Sequence, residues 1–158
     1  MRARSFVSLF MVSLYSMAAL TLAQADVDVN ASAQATIHAR QQGFKKMGAA
    51  MKSIVEQTKT GAPDAAKIAS AAQEISSVAP QISSWFPAGS GSEAGIDTDA
   101  LAFIWQQRAK FDANANQLVA ESKSFASALA GADLATLKTR TKTLADVCSS
   151  CHRSFRAD

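Results

Sequence analysis

Apolar residues recur along the chain at the spacing of one helix face, in four stretches separated by short groups of glycine and proline. The approximate bounds of these stretches are 32–58, 64–84, 98–129 and 133–155. Thr98 or Asp99 can cap the third predicted helix, and Asp133 the fourth. Heptad-like positions mark the core face of three stretches: Ile37, Phe44, Met47, Met51 and Ile54; Leu101, Ile104, Phe111, Ala115, Leu118, Phe125 and Leu129; Leu134, Leu137, Leu144, Cys148, Cys151 and Phe155.

Four amphipathic helices with mostly short connections predict an all-α, antiparallel up-and-down four-helix bundle. Proline and glycine define the breaks, at 61–63 and in the longer Gly/Ser-rich connection 85–97. No segment shows the strict alternation expected of a strand.

The first 25 residues resemble a secretory signal peptide. Arg2 and Arg4 precede an apolar run that ends in the small-residue group Ala23-Gln24-Ala25. A transmembrane anchor is the alternative, but the run is barely long enough and contains several hydroxyl side chains. We therefore expect export to the periplasm, no stable membrane anchor, and a single helical domain at 26–158.

Charge adds little to the functional assignment. The formal charge of the whole chain is +3, and Arg2 and Arg4 would leave with the leader. The remaining basic residues are scattered rather than grouped, so no nucleic-acid partner is predicted.

The residues most informative about function are Cys148, Cys151 and His152. They form a C-x-x-C-H motif, the pattern of covalent haem attachment, in which both thiols bond the haem vinyl groups and the imidazole ligates iron. On a helix, Cys151 lies about 60° to one side of Cys148 and His152 about 40° to the other, so all three share a face. One covalent haem c is the predicted cofactor, with His152 as its metal ligand.

Two other interpretations of the cysteines remain open. They could form a disulfide or a redox-active dithiol, although such dithiols usually lie at a helix start and these come late in a helix. A zinc site lacks ligands, because the chain has two cysteines and two histidines in total.

A C-x-x-C-H motif near the end of the last of four helices resembles the class II c-type cytochromes, and most nearly cytochrome c′. Cytochromes c′ are themselves standard examples of up-and-down bundles, so the resemblance and the helical pattern are not independent arguments for the fold. The resemblance covers the chain after the leader. It also rests on these residues: Arg40-Gln41, Phe44, Met47-Gly48, the Trp85-Phe86-Pro87 to Gly91 loop, Ile104-Trp105, Phe111 and Phe155-Arg156.

By this resemblance, Phe44 lies over the distal face of the haem. A phenyl ring has no lone pair to donate, so the resemblance implies a five-coordinate iron. Met47 and Met51 share the same helix face, and packing is the expected role of both, with iron ligation as the alternative. His38 points away from this face, which makes it a poor candidate for a second axial ligand.

The resemblance also implies roles for four polar or aromatic residues. Arg40 meets a haem propionate with Gln41 as a neighbouring donor, Trp85 lines the haem edge, and Arg156 lies near the proximal imidazole. A solvated Arg40, and an Arg156 that only complements the helix dipole, are the alternatives. Arg108 interrupts the apolar face of the third stretch, and the sequence leaves two roles open for it, an interhelical salt bridge and exposure at the dimer edge.

The function implied is an exported haem protein, not an enzyme, that binds nitric oxide or carbon monoxide, with some electron transfer. A low-spin electron carrier with a methionine ligand is the alternative, and its redox partner is unknown. Family resemblance further implies a homodimer, formed through the first two helices.

Overall fold

A computed structural model describes the backbone of residues 10–157 and the side chains of residues 31–157. The predicted leader stays a prediction, because residues 1–9 lie outside the described residues and no side chain is described before residue 31. Within the part that is described, no helix is long and apolar enough to cross a membrane.

The helical bundle predicted from the sequence is confirmed. Its helices are α1 (Phe10–Thr58), α2 (Ala65–Val78), α3 (Phe103–Gln106), α4 (Arg108–Ser127) and α5 (Leu134–Phe155). A 3₁₀ helix, Ala79–Trp85, continues from α2, and a shorter one spans Ser92–Ala94. The helix α1 packs against α2 and α5, and α4 packs against the same two helices, so the four long helices enclose one core. The short α3 lies beside α4 and α5.

Local signals account for two of the helix starts. The Asp64 carboxylate accepts hydrogen bonds from the amides of Ala66 and Lys67, and that of Asp133 accepts one from Thr136. These bonds satisfy amides that have no partner within the helix. The cap predicted at Asp133 is therefore confirmed, and Gly131, with φ of 72°, adopts the left-handed turn before it.

The predicted start of the third helix is wrong. Helix α3 begins at Phe103 and ends at Gln106, and the backbone of Gln107 (φ −122°, ψ 49°) separates it from α4. The segment before α3 pairs with the end of the chain instead: the amide of Ala157 donates to Asp99, and the amide of Leu101 donates to Phe155. Tertiary pairing has overridden a local capping signal.

Helix α1 also departs from its predicted start, since it runs through Ser32 from Phe10. The second predicted stretch divides where Pro80 enters the first turn of the 3₁₀ helix, because proline has no amide hydrogen for the α-helical bond.

One apolar cluster fills the space between the helices. Its most deeply buried large side chains are Ile54 of α1, Ile104 of α3, Phe111 and Phe125 of α4, and Leu144 of α5. The antiparallel course of the helices brings the Arg40 region of α1 to the same end of the bundle as the last turns of α5.

Arg108 connects α4 to the 3₁₀ helix, and its ion pair, with Asp112, lies within α4 rather than between helices. Its Nε donates to both Asp112 carboxylate oxygens at 3.0 and 2.9 Å. Its two terminal nitrogens donate to the carbonyls of Phe86 and Ser83 at 2.9 and 2.6 Å. The guanidinium therefore holds the segment containing Trp85 and Phe86 on the bundle.

Candidate functional site

Cys148, Cys151 and His152 lie in the last two turns of α5. Both cysteines are free thiols, partly buried and packed against the core, whereas His152 is exposed. The amide of Arg156 donates to the His152 carbonyl at 3.0 Å, so the helix remains regular through the motif. Two thiols and an imidazole on one helical face, at the margin of an apolar core, are the donor set that covalent haem attachment requires.

The thiol environment disagrees with the dithiol interpretation. Burial raises the pKa of Cys148, and burial followed by the neighbouring Cys148 raises the pKa of Cys151 to about 11. A redox-active dithiol needs the opposite, a thiol whose pKa is lowered by positive charge or a helix start.

The imidazole of His152 is biased toward its neutral form. Its pKa is lowered, first by partial desolvation and then by the positive charge of Arg156 one turn later. Neutral imidazole is the form that ligates a metal, so this environment favours a ligand at neutral pH.

Arg40 is buried rather than solvated. Only 2% of it is exposed, and its guanidinium lies 4.7 Å from the centre of the Phe86 ring. One terminal nitrogen donates to the Ser90 carbonyl and hydroxyl at 2.7 and 3.2 Å, and the other to the Thr98 hydroxyl at 2.6 Å. These neutral oxygens stabilise the guanidinium charge in place of water. Burial lowers the Arg40 pKa, and the negative charge of the nearby Glu93 partly offsets that effect.

Gln41 forms a second bond between α1 and the loop that Arg40 contacts. Its side-chain amide donates to the Asp97 carbonyl at 3.2 Å, on the exposed side of α1. Arg40 and Gln41 therefore connect α1 to the loop 85–98, a contact that the sequence did not suggest.

Phe44 belongs to a chain of aromatic rings. It lies 5.4 Å from Trp85 in an edge-to-face arrangement and 6.2 Å from Phe86. Phe86 continues to Phe111 at 4.8 Å, and Phe111 to Phe155 at 5.3 Å. Edge-to-face contacts of this kind add to the energy of burial, so the partly buried Phe44 is fixed by its neighbours.

The two methionines on this face of α1 pack into the bundle. Met47 is buried in the core, and Met51 is partly buried against it. His38 is exposed, in agreement with its predicted orientation.

The indole ring of Trp85 packs directly against the backbone of α1 at Gly43. A β-carbon at this position would overlap the indole ring, so glycine is needed for the close approach. Gly48, in the same helix and exposed, has no neighbour within 4 Å of such an atom and offers a matched control.

We expect Gly43→Ala to destabilise the protein by about 1–3 kcal/mol, because the gain in helix propensity is smaller than the cost of displacing Trp85. Gly48→Ala should instead stabilise it by up to about 1 kcal/mol. Denaturant unfolding measures both. In a Trp85→Ala background, Gly43→Ala should become stabilising too, and a Gly43→Ala variant as stable as Gly48→Ala with Trp85 intact would contradict the contact.

Sequence reasoning missed several residues that organise this region. The sequence places Ser90, which is 1% exposed, in a Gly/Ser-rich connection and Phe86 in the Trp85-Phe86-Pro87 motif, and it indicates a role for neither. Gly43 gave no signal at all. Their contacts join residues far apart in the chain, which helical periodicity does not detect.

Comparisons with known proteins agree with this arrangement. A family model described as "Cytochrome C'" matches residues 35–156. A cytochrome c′ from Rhodopseudomonas palustris is 36% identical over 117 residues, which cover 72% of this chain and 76% of that protein.

Solved structures extend the similarity to three dimensions. The structure of cytochrome c′ from R. palustris has a TM-score of 0.70 at 33% identity, covering 78% of this chain and 96% of that one. A cytochrome c′ described as having an unusual ligand-controlled dimer dissociation has a TM-score of 0.72 at 22% identity, covering 80% and 97%.

Proposed function

Because the chain belongs to the cytochrome c′ family, whose cofactor is covalent haem c, we propose that it is an exported gas-binding cytochrome with a five-coordinate iron. Cys148 and Cys151 would attach the haem and His152 would ligate it. The observation that carries the proposal is the pairing of this donor set on α5 with Phe44, a side chain unable to ligate iron, at the same end of the bundle.

When bound, the haem supplies an iron centre that takes up nitric oxide or carbon monoxide. The chain contributes the environment. The two cysteines fix the group through thioether bonds, and the lowered pKa of His152 keeps a ring nitrogen free to act as ligand. Arg156 maintains this state by placing positive charge near the imidazole.

Phe44 would provide the selectivity of the site. Its ring is held between Trp85 and Phe86, so an incoming ligand has to be small enough to displace or pass an aromatic side chain. An apolar surface of this kind offers no hydrogen bond to polarised dioxygen, which disfavours oxygen relative to nitric oxide and carbon monoxide. Among the described side chains, the rings that contact Phe44 are Trp85 and Phe86, and neither is an acid–base group of the kind that peroxidase chemistry needs, so we propose binding rather than catalysis.

Arg40 and Gln41 support this site through the loop 85–98. Both were expected at a haem propionate. Their observed bonds to Ser90, Thr98 and Asp97 fix the loop that carries Trp85. We propose that Arg40 and Gln41 hold this loop in place in addition to any contact that they make with the haem.

The absorption spectrum of the reduced holoprotein tests the five-coordinate state. We expect a broad, unsplit visible band before any gas is added and a shift on addition of carbon monoxide. Phe44→Ala should accelerate carbon monoxide binding, since the ring no longer has to move. A split, low-spin band in the reduced protein without gas would refute the open site.

The methionines supply the control. If Met47 or Met51 ligated iron, Met47→Leu or Met51→Leu would convert a low-spin spectrum into a high-spin one. Their burial in and against the core leads us to expect no spectral change from either variant.

We also propose that the protein is a periplasmic homodimer, formed through α1 and α2. The signal-like segment 1–25 supports export, and the dimer named for one structural relative supports self-association. The intact mass of protein isolated from the periplasm tests the removal of residues 1–25, and sedimentation equilibrium tests the homodimer. Retention of residues 1–25, or a monomer at all concentrations, would contradict the respective proposal.

A further inference from the structure

Phe103 is the large hydrophobic side chain that the described structure leaves exposed. Half of it, 50%, is accessible to solvent, although its neighbour Ile104 is 1% exposed in the core. The backbone on either side of it is fixed, because Leu101 bonds to Phe155 and Gln107 donates to the Phe103 carbonyl at 2.9 Å. Phe103 is thus held at the surface by the fold, not by a loose loop.

A shallow groove of about 330 Å³ lies beside this ring, between α3, the start of α4 and the end of α5. Leu101, Phe103 and Phe155 form its apolar wall. Lys110 and Arg153 contribute two cations. The volume is near the lower limit of small-molecule pockets, and it suits one or two side chains of a partner better than a whole ligand.

Within residues 31–157, no carboxylate forms an ion pair with either cation of the groove. Neither Lys110 nor Arg153 has an acidic group within 4 Å among the described side chains. Arg156, which directly follows the groove residue Phe155 in the chain, is also exposed. Asp112 is engaged by Arg108, and Asp99 does not line the groove. The result is an apolar centre with a cationic rim.

We propose that this groove docks the acidic face of a one-electron donor protein. The inference rests on the proposed function, because Arg153 follows His152 directly and Phe155 lies in the same last turn. One electron would leave the reduced centre of the partner and convert ferric haem to the ferrous form that binds carbon monoxide. No covalent bond forms or breaks in this step.

Charge complementarity selects this occupant over two others. A second copy of the chain, docked face to face, would place Lys110 and Arg153 against the same cations. Membrane-surface binding normally uses a helix with a long apolar face, whereas this surface is one ring beside a concave groove. An apolar centre with a charged rim is the usual anatomy of a protein interface.

Plant-type ferredoxin, an acidic iron–sulfur protein, is a suitable probe. Calorimetry with the oxidised holoprotein should show binding that weakens with salt, and stopped-flow mixing should show reduction of the haem by reduced ferredoxin. We expect Lys110→Gln/Arg153→Gln to weaken binding about tenfold and to flatten its salt dependence. Phe103→Ser should weaken binding with the salt dependence retained.

Two controls separate this inference from the proposed function. Lys138→Gln removes an exposed cation from an earlier part of α5 and should bind ferredoxin like the parent protein. Reduction of the haem by a small, neutral flavin in its reduced form should be equal in all variants, which shows that the haem is intact. If the flavin fails to reduce even the parent protein, the haem function fails and the docking surface is judged by calorimetry alone.

The docking proposal is overturned if the groove variants bind ferredoxin with the parent affinity and salt dependence. It is also overturned if the parent protein binds anionic phospholipid vesicles in a Lys110- and Arg153-dependent way but does not bind ferredoxin.

Discussion

Replacing Cys148 and Cys151 together with alanine is expected to abolish covalent haem attachment completely. The thioether bonds need both sulfur atoms, and no other cysteine exists in the chain to replace them. Each single replacement should leave at most one thioether bond and a lower yield of holoprotein. Intact-mass spectrometry after denaturation measures the outcome directly, because only covalently bound haem remains with the polypeptide.

Ser149→Ala is the matched control for this prediction. Ser149 lies between the two cysteines, is exposed, and donates only to the Ala145 carbonyl of its own helix at 3.0 Å. Its replacement removes a side chain from the motif without removing a sulfur atom, so full haem attachment is expected. Haem that stays attached to the double cysteine variant through denaturation would refute the assigned attachment site.

The chemistry of α5 could be predicted from sequence because its determinants are local. Asp133 caps the helix through an amide three residues away, and the C-x-x-C-H residues share a face by helical geometry alone. The bundle followed from the same periodicity. Where local rules govern, the sequence prediction and the structure agree.

The loop side of the site could not be predicted in this way. Thr98 seemed a helix cap, but its hydroxyl accepts from Arg40 as well as from the amide of Ala100, and the adjacent backbone pairs with the chain end. The Arg40–Ser90 bond spans 50 positions, and the Gly43–Trp85 contact spans a similar distance. Hydrophobic periodicity shows which face of a helix is buried but not which loop covers it.

For Arg40, the sequence predicted the buried position correctly but not the hydrogen bonds to the loop. The sequence placed an arginine on an apolar face, where an unpaired charge is costly, and the resemblance supplied a propionate as its partner. The structure adds partners from the chain itself, two oxygens of Ser90 and the hydroxyl of Thr98.

Arg40→Leu is therefore expected to destabilise the holoprotein by about 3–5 kcal/mol, one of the largest effects of any single substitution in the bundle. The leucine would remove the guanidinium bonds to the Ser90 carbonyl and the Thr98 hydroxyl, and it would remove the cation from the Phe86 ring. Arg40→Lys should recover only part of the lost stability. Lysine keeps the positive charge, but its ammonium group cannot reach both oxygens in the planar geometry of guanidinium. Denaturant unfolding measures each variant.

Two comparisons test whether the contacts between Arg40 and the loop account for the stability lost in Arg40→Leu. Arg140→Leu, at an exposed position of α5, should change stability by no more than about 0.5 kcal/mol. In a double-mutant cycle, Arg40→Leu and Thr98→Val should show a coupling of about 1–2 kcal/mol if the bond seen here persists with haem attached. Strictly additive effects would show that the Arg40–Thr98 bond does not stabilise the holoprotein, because two residues that act through a shared bond must be coupled.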